Sequence, residues 1–354
     1  MNVAVAGMLG GIPGHGGASW AVLQYVLGLE RLGHDVWFVE EVSTPTRDSR
    51  RYFGEVTARF GLEGRAALLA GGPAPTEVRA ALARADVLVN LSGNLRRPDL
   101  LELPARRVYV DLDPVFTQVW HAQGTDVGLA GHDAYFTLGD RVPEDPRISW
   151  TPMLPPVLVS EWTPSPIRAG APFTTVGNWR SYGPVEHHGR TLGQRVHSMR
   201  SLLSIPARTD APIELALAIA AEETADRAAL DAAGWTVVDP AVVASDPDAY
   251  RAFIVESSGE LSIAKSGYVL SDSGWFSERS ACYLACGRPV VAQDTGFGRR
   301  LPTGEGLHSY SSAEEAAAAL DVVRADDGRH AQRARAIAEE HLDSDRILPA
   351  LLDG

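Results

Sequence analysis

Short runs of consecutive apolar residues alternate with stretches whose apolar positions recur every three or four residues, and the alternation continues along most of the chain. Residues 3–6 form the first apolar run and are followed by a glycine-rich loop, Gly10-Gly-Ile-Pro-Gly-His15-Gly-Gly. Val22, Tyr25, Val26, Leu29 and Leu32 then fall at the spacing of one helix face and predict a helix over residues 19–32, stopped by Gly33. Residues 36–39, 87–89, 108–110 and 134–136 read as further buried strands. A second series starts at Phe173-Thr-Thr-Val-Gly-Asn-Trp179 and continues through residues 213–217 and 236–238 to a helix and strand over 278–292. Wholly apolar strands separated by helices predict parallel sheets covered on both faces.

Between the two series lie five prolines within residues 150–166. That density cannot continue a helix or a central strand, so the segment is the best linker candidate. The expected organisation is an α/β chain of two Rossmann-like, doubly wound domains facing across a cleft. Their expected bounds are residues 1–155 and 169–335, with a linker over 156–168 and a helical tail over 336–354. In such sheets the ligand is expected outside the carboxyl ends of the strands.

Composition narrows the classes of function. The chain has 354 residues, 45% of them hydrophobic and 22% charged, with a net charge of −13. That balance speaks against a nucleic-acid partner, which calls for a basic face, but a pocket for one small anion needs only local positive charge. No apolar run is long enough for a membrane-spanning helix. The N-terminus has no basic segment of the secretory type. Cys282 and Cys286, four apart in one predicted helix, read as small buried residues, which places the chain in a reducing cytoplasm.

Lys265 is the sole lysine among 32 basic residues. An arginine-dominated composition suggests a bacterial genome of high GC content. A lysine is a compact point charge that the broad guanidinium cannot replace in a tight phosphate pocket; chance retention on the surface is the competing account. Downstream, Ser277 reads as an N-cap, Glu278 falls in the first turn, and Gly287 with Pro289 ends the helix. The unpaired amides of such a helix start can hold a diphosphate, with Arg279 and Lys265 adding full charges. Glu278 either complements the helix dipole or grips ribose hydroxyls.

The run Glu278-Arg-Ser-Ala-Cys-Tyr-Leu-Ala-Cys-Gly-Arg-Pro-Val-Val-Ala-Gln-Asp-Thr-Gly296 resembles the donor-binding segment of nucleotide-sugar glycosyltransferases with the GT-B fold. Residues 23–36 are similar to the start of their acceptor domain, and residues 173–179 to the start of their donor domain. The resemblance implies a glycosyltransferase that needs no cofactor or metal. Its partners are a nucleotide-sugar donor (UDP, dTDP or GDP) and a small-molecule or glycan acceptor. On this resemblance Lys265, Ser277, Glu278, Arg279 and Ser280 neutralise the leaving diphosphate and hold the ribose. Gly177, Asn178 and Trp179 meet the phosphates, while Asp294, Thr295 and Gly296 face the sugar. Cys282 stands where many retaining members carry a second glutamate, which leaves inversion and retention both open.

In the first domain the resemblance implies a catalytic base at His15, beside Gly16 and Gly17, oriented by Asp111 or Asp113 at the end of a later strand. An exposed loop histidine is the plainer account. Asp111-Leu-Asp113 also resembles the metal-binding element of the other large glycosyltransferase fold, but the nucleotide is expected in the second domain, so no metal is expected. His187 and His188 lack further ligands for a metal site and read as a solvated or acceptor-facing loop. Trp20, Trp120 and Tyr25 are candidate acceptor contacts, with Tyr25 on the apolar stripe better placed in the core.

Three other functions compete. A nicotinamide-dependent oxidoreductase would put Glu40 or Glu41 on a ribose, but Gly14-His-Gly16 lies too far beyond the first strand for a dinucleotide turn. A nucleotide-sugar epimerase or hydrolase on the same scaffold, and a non-catalytic binder of nucleotide sugars, both remain open, because fold does not fix function.

Overall fold

The structure, a computed structural model, describes residues 1–353. The chain divides into two compact units. The first comprises Met1–Leu158 and the chain from Ser344 onward; the second is Val159–Asp343.

Seven strands build the first unit: β1 (Asn2–Ala6), β2 (Asp35–Glu41), β3 (Ala66–Leu69), β4 (Val87–Leu91), β5 (Arg106–Asp111), β6 (Ala134–Thr137) and β7 (Trp150–Pro152). They form one sheet in the order β3-β2-β1-β4-β5-β6-β7, and every pairing is parallel. Strand order therefore reverses between β1 and β4. β4 is buried at all five positions, as a central parallel strand covered on both faces should be. β7, inside the proline-rich stretch, is an edge strand, the one place in a sheet where Pro152 costs no ladder bond.

In the second unit β8 (Phe173–Asn178) leads, followed by the antiparallel hairpin β9 (Val185–His187) and β10 (Arg190–Leu192). β11 (Ile213–Ala218), β12 (Thr236–Val238), β13 (Gly259–Ser262), β14 (Val290–Gln293) and β15 (Leu307–Tyr310) complete it. The six-stranded sheet runs β12-β11-β8-β13-β14-β15, again wholly parallel, and reverses between β8 and β13. Both sheets thus have the doubly wound order in which the reversal opens a crevice at the carboxyl ends of two neighbouring strands.

Helix signals read from the sequence mark real ends. Ser277 caps the Glu278–Ala285 helix by accepting from the Arg279 amide at 3.2 Å. Gly287 follows that helix at φ 69°, a left-handed conformation that costs a Cβ-bearing residue energy. The first helix, Gly16–Arg31, begins three residues before the start expected from the apolar stripe, because glycines cost little in a first turn whose amides are unpaired anyway. Cys282 and Cys286 are buried free thiols.

Segments without periodic patterning are packed too. Trp162 is fully buried, and the Ser165 carbonyl and hydroxyl accept from Arg288 at 2.7 and 2.8 Å. The last residues belong to the first unit: the Ser344 amide donates to the Val157 carbonyl, and Arg31 pairs with Asp345. A Cβ on Gly28 would lie 2.5 Å from Leu348 Cδ1 and 2.9 Å from Ser344 Cβ, so glycine in mid-helix lets this terminal segment pack against the helix. No helix among the described residues is long and apolar enough to cross a membrane.

Candidate functional site

Physical reasoning places a ligand at the carboxyl ends of β8 and β13, and there the second unit gathers its positive charge. Lys265, three residues beyond β13, is the N-cap of the Ser266–Leu270 helix. Its ammonium donates to the Tyr182 hydroxyl at 2.6 Å and lies 4.3 Å from the centre of the Tyr182 ring and 5.4 Å from that of Tyr268. Two aromatic faces hold the half-buried ammonium in place.

A second cation, which the sequence reading missed, is Arg195. It sits under the loop ends, donating from Nε to the Ile263 carbonyl at 2.8 Å and from Nη1 to the Asn178 carbonyl at 3.1 Å. Burial, then the nearby Arg279 cation, lowers its pKa to about 9, which still leaves it protonated at neutral pH. Gly177 makes this possible: a Cβ there would stand 1.8 Å from Arg195 Nη1. The glycine expected to admit phosphate to the backbone thus admits a guanidinium instead.

Arg279 has a different place from the one expected. Its guanidinium turns into the unit, donating to the Glu260 carboxylate at 2.5 Å, the Val176 carbonyl at 2.8 Å and the Ser262 hydroxyl at 3.0 Å. Against the desolvation of full burial, the Glu260 charge keeps its pKa above the ordinary value. Arg279 therefore braces β8 to β13 rather than reaching outward. Glu260 retains one buried oxygen, Oε2, with no hydrogen bond.

The remaining candidates divide in the same way. Ser277 and Ser280 are buried, Ser280 approaching Ser262 at 3.5 Å, while Glu278 is half-buried in the first turn. Asn178 is exposed at the end of β8. Trp179 instead points into the core, donating from Nε1 to Asp226 at 3.0 Å. Asp294 accepts from the Gly296 amide at 2.8 Å, and Thr295 donates to the Trp275 carbonyl. Gly296, at φ 88°, lies against the Arg299–Asp272 ion pair. These residues shape the turn after β14.

In the first unit, the expected base and its orienting carboxylate are not joined. His15 is exposed at the start of the Gly16–Arg31 helix, and its ring makes no hydrogen bond among the described residues. Asp111 is fully buried and accepts from the Asp113 amide, Thr117, Gln118 and Thr137 at 2.6 to 2.9 Å. Desolvation raises its pKa against those four donors. It organises the end of β5, where Val115 is held at φ 71°, a costly conformation for a β-branched residue. Gly16 and Gly17 open the helix.

Glu40, a ribose ligand on the dinucleotide reading, is fully buried and accepts the amides of Leu9, Gly10 and Gly11 at 2.9, 2.6 and 2.7 Å. Burial raises its pKa while these three bonds oppose the rise. It fastens the glycine-rich loop over β1. Beyond that loop, the carboxyl ends of β1, β4 and β5 enclose a cavity of about 490 Å³. No three His, Cys, Asp or Glu among the described residues converge as a metal site.

No protein-family model matches the chain, and no curated protein matches it in sequence. Solved structures do match over the whole length. Anabaena HepE, solved in complex with UDP and glucose, is 12% identical with a TM-score of 0.56, covering 97% of this chain and 96% of its own. An alpha-glucosyltransferase in complex with UDP and a 13-mer DNA is also 12% identical, with a TM-score of 0.60 and coverage of 99% of both chains. Sucrose-phosphate synthase from Thermosynechococcus elongatus gives 12%, a TM-score of 0.55 and coverage of 99% and 96%. The fold is GT-B. At this identity the likeness is one of fold, and a GT-B fold carries function only through the groups placed on it.

Proposed function

We propose that the protein is a glycosyltransferase whose second unit holds a nucleotide-diphosphate sugar and whose first unit presents the acceptor nucleophile. The observation that carries this reading is the pair of cations at the β8/β13 reversal. Lys265 is held between tyrosines there, and Arg195 is buried beneath the vacant Cβ position of Gly177. Arg195 is seated by carbonyl oxygens, so a bound diphosphate would supply negative charge beside it. As the glycosidic bond breaks, negative charge grows on the leaving diphosphate. Preorganised cations and the amides at residues 277–280 would stabilise that charge without reorganising. No metal or cofactor enters this scheme.

UDP is the first nucleotide to test, since HepE and the alpha-glucosyltransferase were solved with UDP; dTDP and GDP follow. A small molecule or glycan is the acceptor that suits a chain of net charge −13, on which a DNA duplex would meet repulsion. His15 is the proposed base and acts unassisted by Asp111 or Asp113. Residence in a bacterial cytoplasm completes the reading.

A thermal-shift series with UDP, dTDP, GDP and ADP tests it. A ligand at about 100 times its Kd adds roughly 2.7 kcal/mol to the stability of the unit that binds it. One nucleotide should raise the midpoint and Lys265→Ala should abolish the rise while the variant keeps its fold. If no nucleotide shifts the midpoint, or if Lys265→Ala responds as wild type does, the donor site is wrongly placed. Donor incubated without acceptor separates transfer from hydrolysis or epimerisation.

A further inference from the structure

The cavity in the first unit defines a chemical class of acceptor, an inference that rests on the proposed transfer reaction. Its lining is largely apolar, with Met8, Ile12, Ala18, Ala21, Leu91 and Leu112, and is interrupted by Ser43, Ser92 and Arg96. Met8, 47% exposed, stands at the open side of this lining. At about 490 Å³ the space falls within the roughly 300–1,000 Å³ range of small-molecule pockets. It sits at the β1/β4 reversal and is formed entirely by one unit.

One edge is polar. Glu41 and Asn94 line it, and their contacts leave one acceptor and one donor over. Glu41 Oε2 accepts the amides of Arg96 and Arg97 at 2.7 and 3.3 Å, and Asn94 Oδ1 accepts the Glu41 amide at 3.2 Å. Glu41 Oε1 and Asn94 Nδ2 have no hydrogen-bond partner among the described residues. A hydroxyl group offers one donor and one acceptor and so complements both. A sugar would bring more hydroxyls than the few polar groups of this lining can bond, each one left unpaired costing roughly 1–3 kcal/mol when desolvated.

We infer that the acceptor is a compact, largely apolar alcohol or phenol, with a ring system lodged among Ile12, Ala21 and Leu91 and a hydroxyl between Glu41 and Asn94. Transfer to such a molecule forms a bond between its oxygen and the anomeric carbon of the sugar. The bond from that carbon to the diphosphate breaks, and the hydroxyl proton passes to a base.

The test uses the whole chain, without donor. 2-Naphthol, 2-methylnaphthalene and maltose are titrated by calorimetry, with UDP titrated separately. The expected result is binding of 2-naphthol at least tenfold tighter than 2-methylnaphthalene, with no binding of maltose. Ala21→Leu, which extends a side chain into the cavity, should weaken 2-naphthol at least tenfold. Should Ala21→Leu not fold, the comparison of naphthol with its methyl isostere in the wild type still decides. Maltose binding without 2-naphthol binding overturns the inference, as does a naphthol affinity unchanged in a folded Ala21→Leu. If UDP binds while 2-naphthol does not, the acceptor class alone fails. If 2-naphthol binds as expected and UDP does not, the donor reading fails and the ligand class of the cavity stands.

Discussion

Replacing Gly177 with alanine should unseat Arg195. The added Cβ would lie 1.8 Å from Nη1, 2.7 Å from Cζ and 3.0 Å from Nη2, so the guanidinium must leave its seat. It then loses its bonds to the Ile263 and Asn178 carbonyls. Hydrogen bonds from charged groups are worth about 1.5–3 kcal/mol each, and alanine recovers roughly 0.5–1 kcal/mol over glycine in a strand. The difference is about 2–5 kcal/mol. Rehydration of the displaced cation favours the lower end, about 2–3 kcal/mol. For a unit of this length a loss of 1 kcal/mol lowers the midpoint by roughly 2–4 °C, so the second unit's transition should fall by about 4–12 °C in calorimetry. The cause is separable by a cycle with Arg195→Met, which keeps an apolar stem and removes the guanidinium. In that background Gly177→Ala should be nearly neutral, a coupling of about 2 kcal/mol. Effects that add within about 0.5 kcal/mol would show that the glycine and the arginine are independent. UDP affinity should fall at least tenfold in Gly177→Ala.

Other consequences follow from single contacts. Gly28→Ala would ordinarily stabilise a helix by about 1 kcal/mol. Here the Cβ meets Leu348 and Ser344, so denaturant unfolding should show the variant less stable than wild type. In a chain ending at Asp343 the same change should become stabilising. Glu40→Gln must turn an amide toward the backbone donors of Leu9 to Gly11, and should cost about 1–3 kcal/mol at neutral pH. Because burial raises the Glu40 pKa, its contribution to stability is largest below the ordinary value of 4.5 and diminishes as pH rises through the folded value. The gap in stability between wild type and Glu40→Gln should therefore narrow with rising pH across that window, and a constant gap from pH 4 to 7 would contradict the assigned shift. Asp111→Ala leaves Thr117, Gln118, Thr137 and an amide without their acceptor, and should destabilise the first unit by several kcal/mol.

The framework of the fold is legible because burial imposes a period on the sequence. β4 and β14 each open on three consecutive apolar residues, Val87-Leu-Val89 and Val290-Val-Ala292, and both lie where the run predicts. β13, Gly259-Glu-Leu-Ser, carries no such signal, yet all four residues are buried. Its charge is tolerated only because Arg279, from a helix 16 residues further on, turns inward to meet Glu260. Removing one partner of a buried pair costs about 3–5 kcal/mol, so the strand exists by virtue of a contact that no local pattern encodes. β3, β7 and β15 are short, and all three are sheet edges, where patterning is weakest.

Candidate site residues differ in how far local sequence marks them. Lys265 stands out by being alone, whereas Arg195 is one of many arginines and has no neighbouring motif. Local sequence marks Arg279 and Trp179 as candidates through a helix start and a strand end, but it cannot show which way they turn. Each is drawn inward by an acid distant in the chain, Glu260 for one and Asp226 for the other. Arg195 makes no ion pair among the described residues: carbonyl oxygens seat it, and these orient a guanidinium without cancelling its charge. Because Glu260 pairs with Arg279, the charge of Arg195 is left over in the buried trio. A protein of net charge −13 that keeps a buried guanidinium seated on carbonyl oxygens at a sheet reversal sustains a cost that an anionic ligand would relieve.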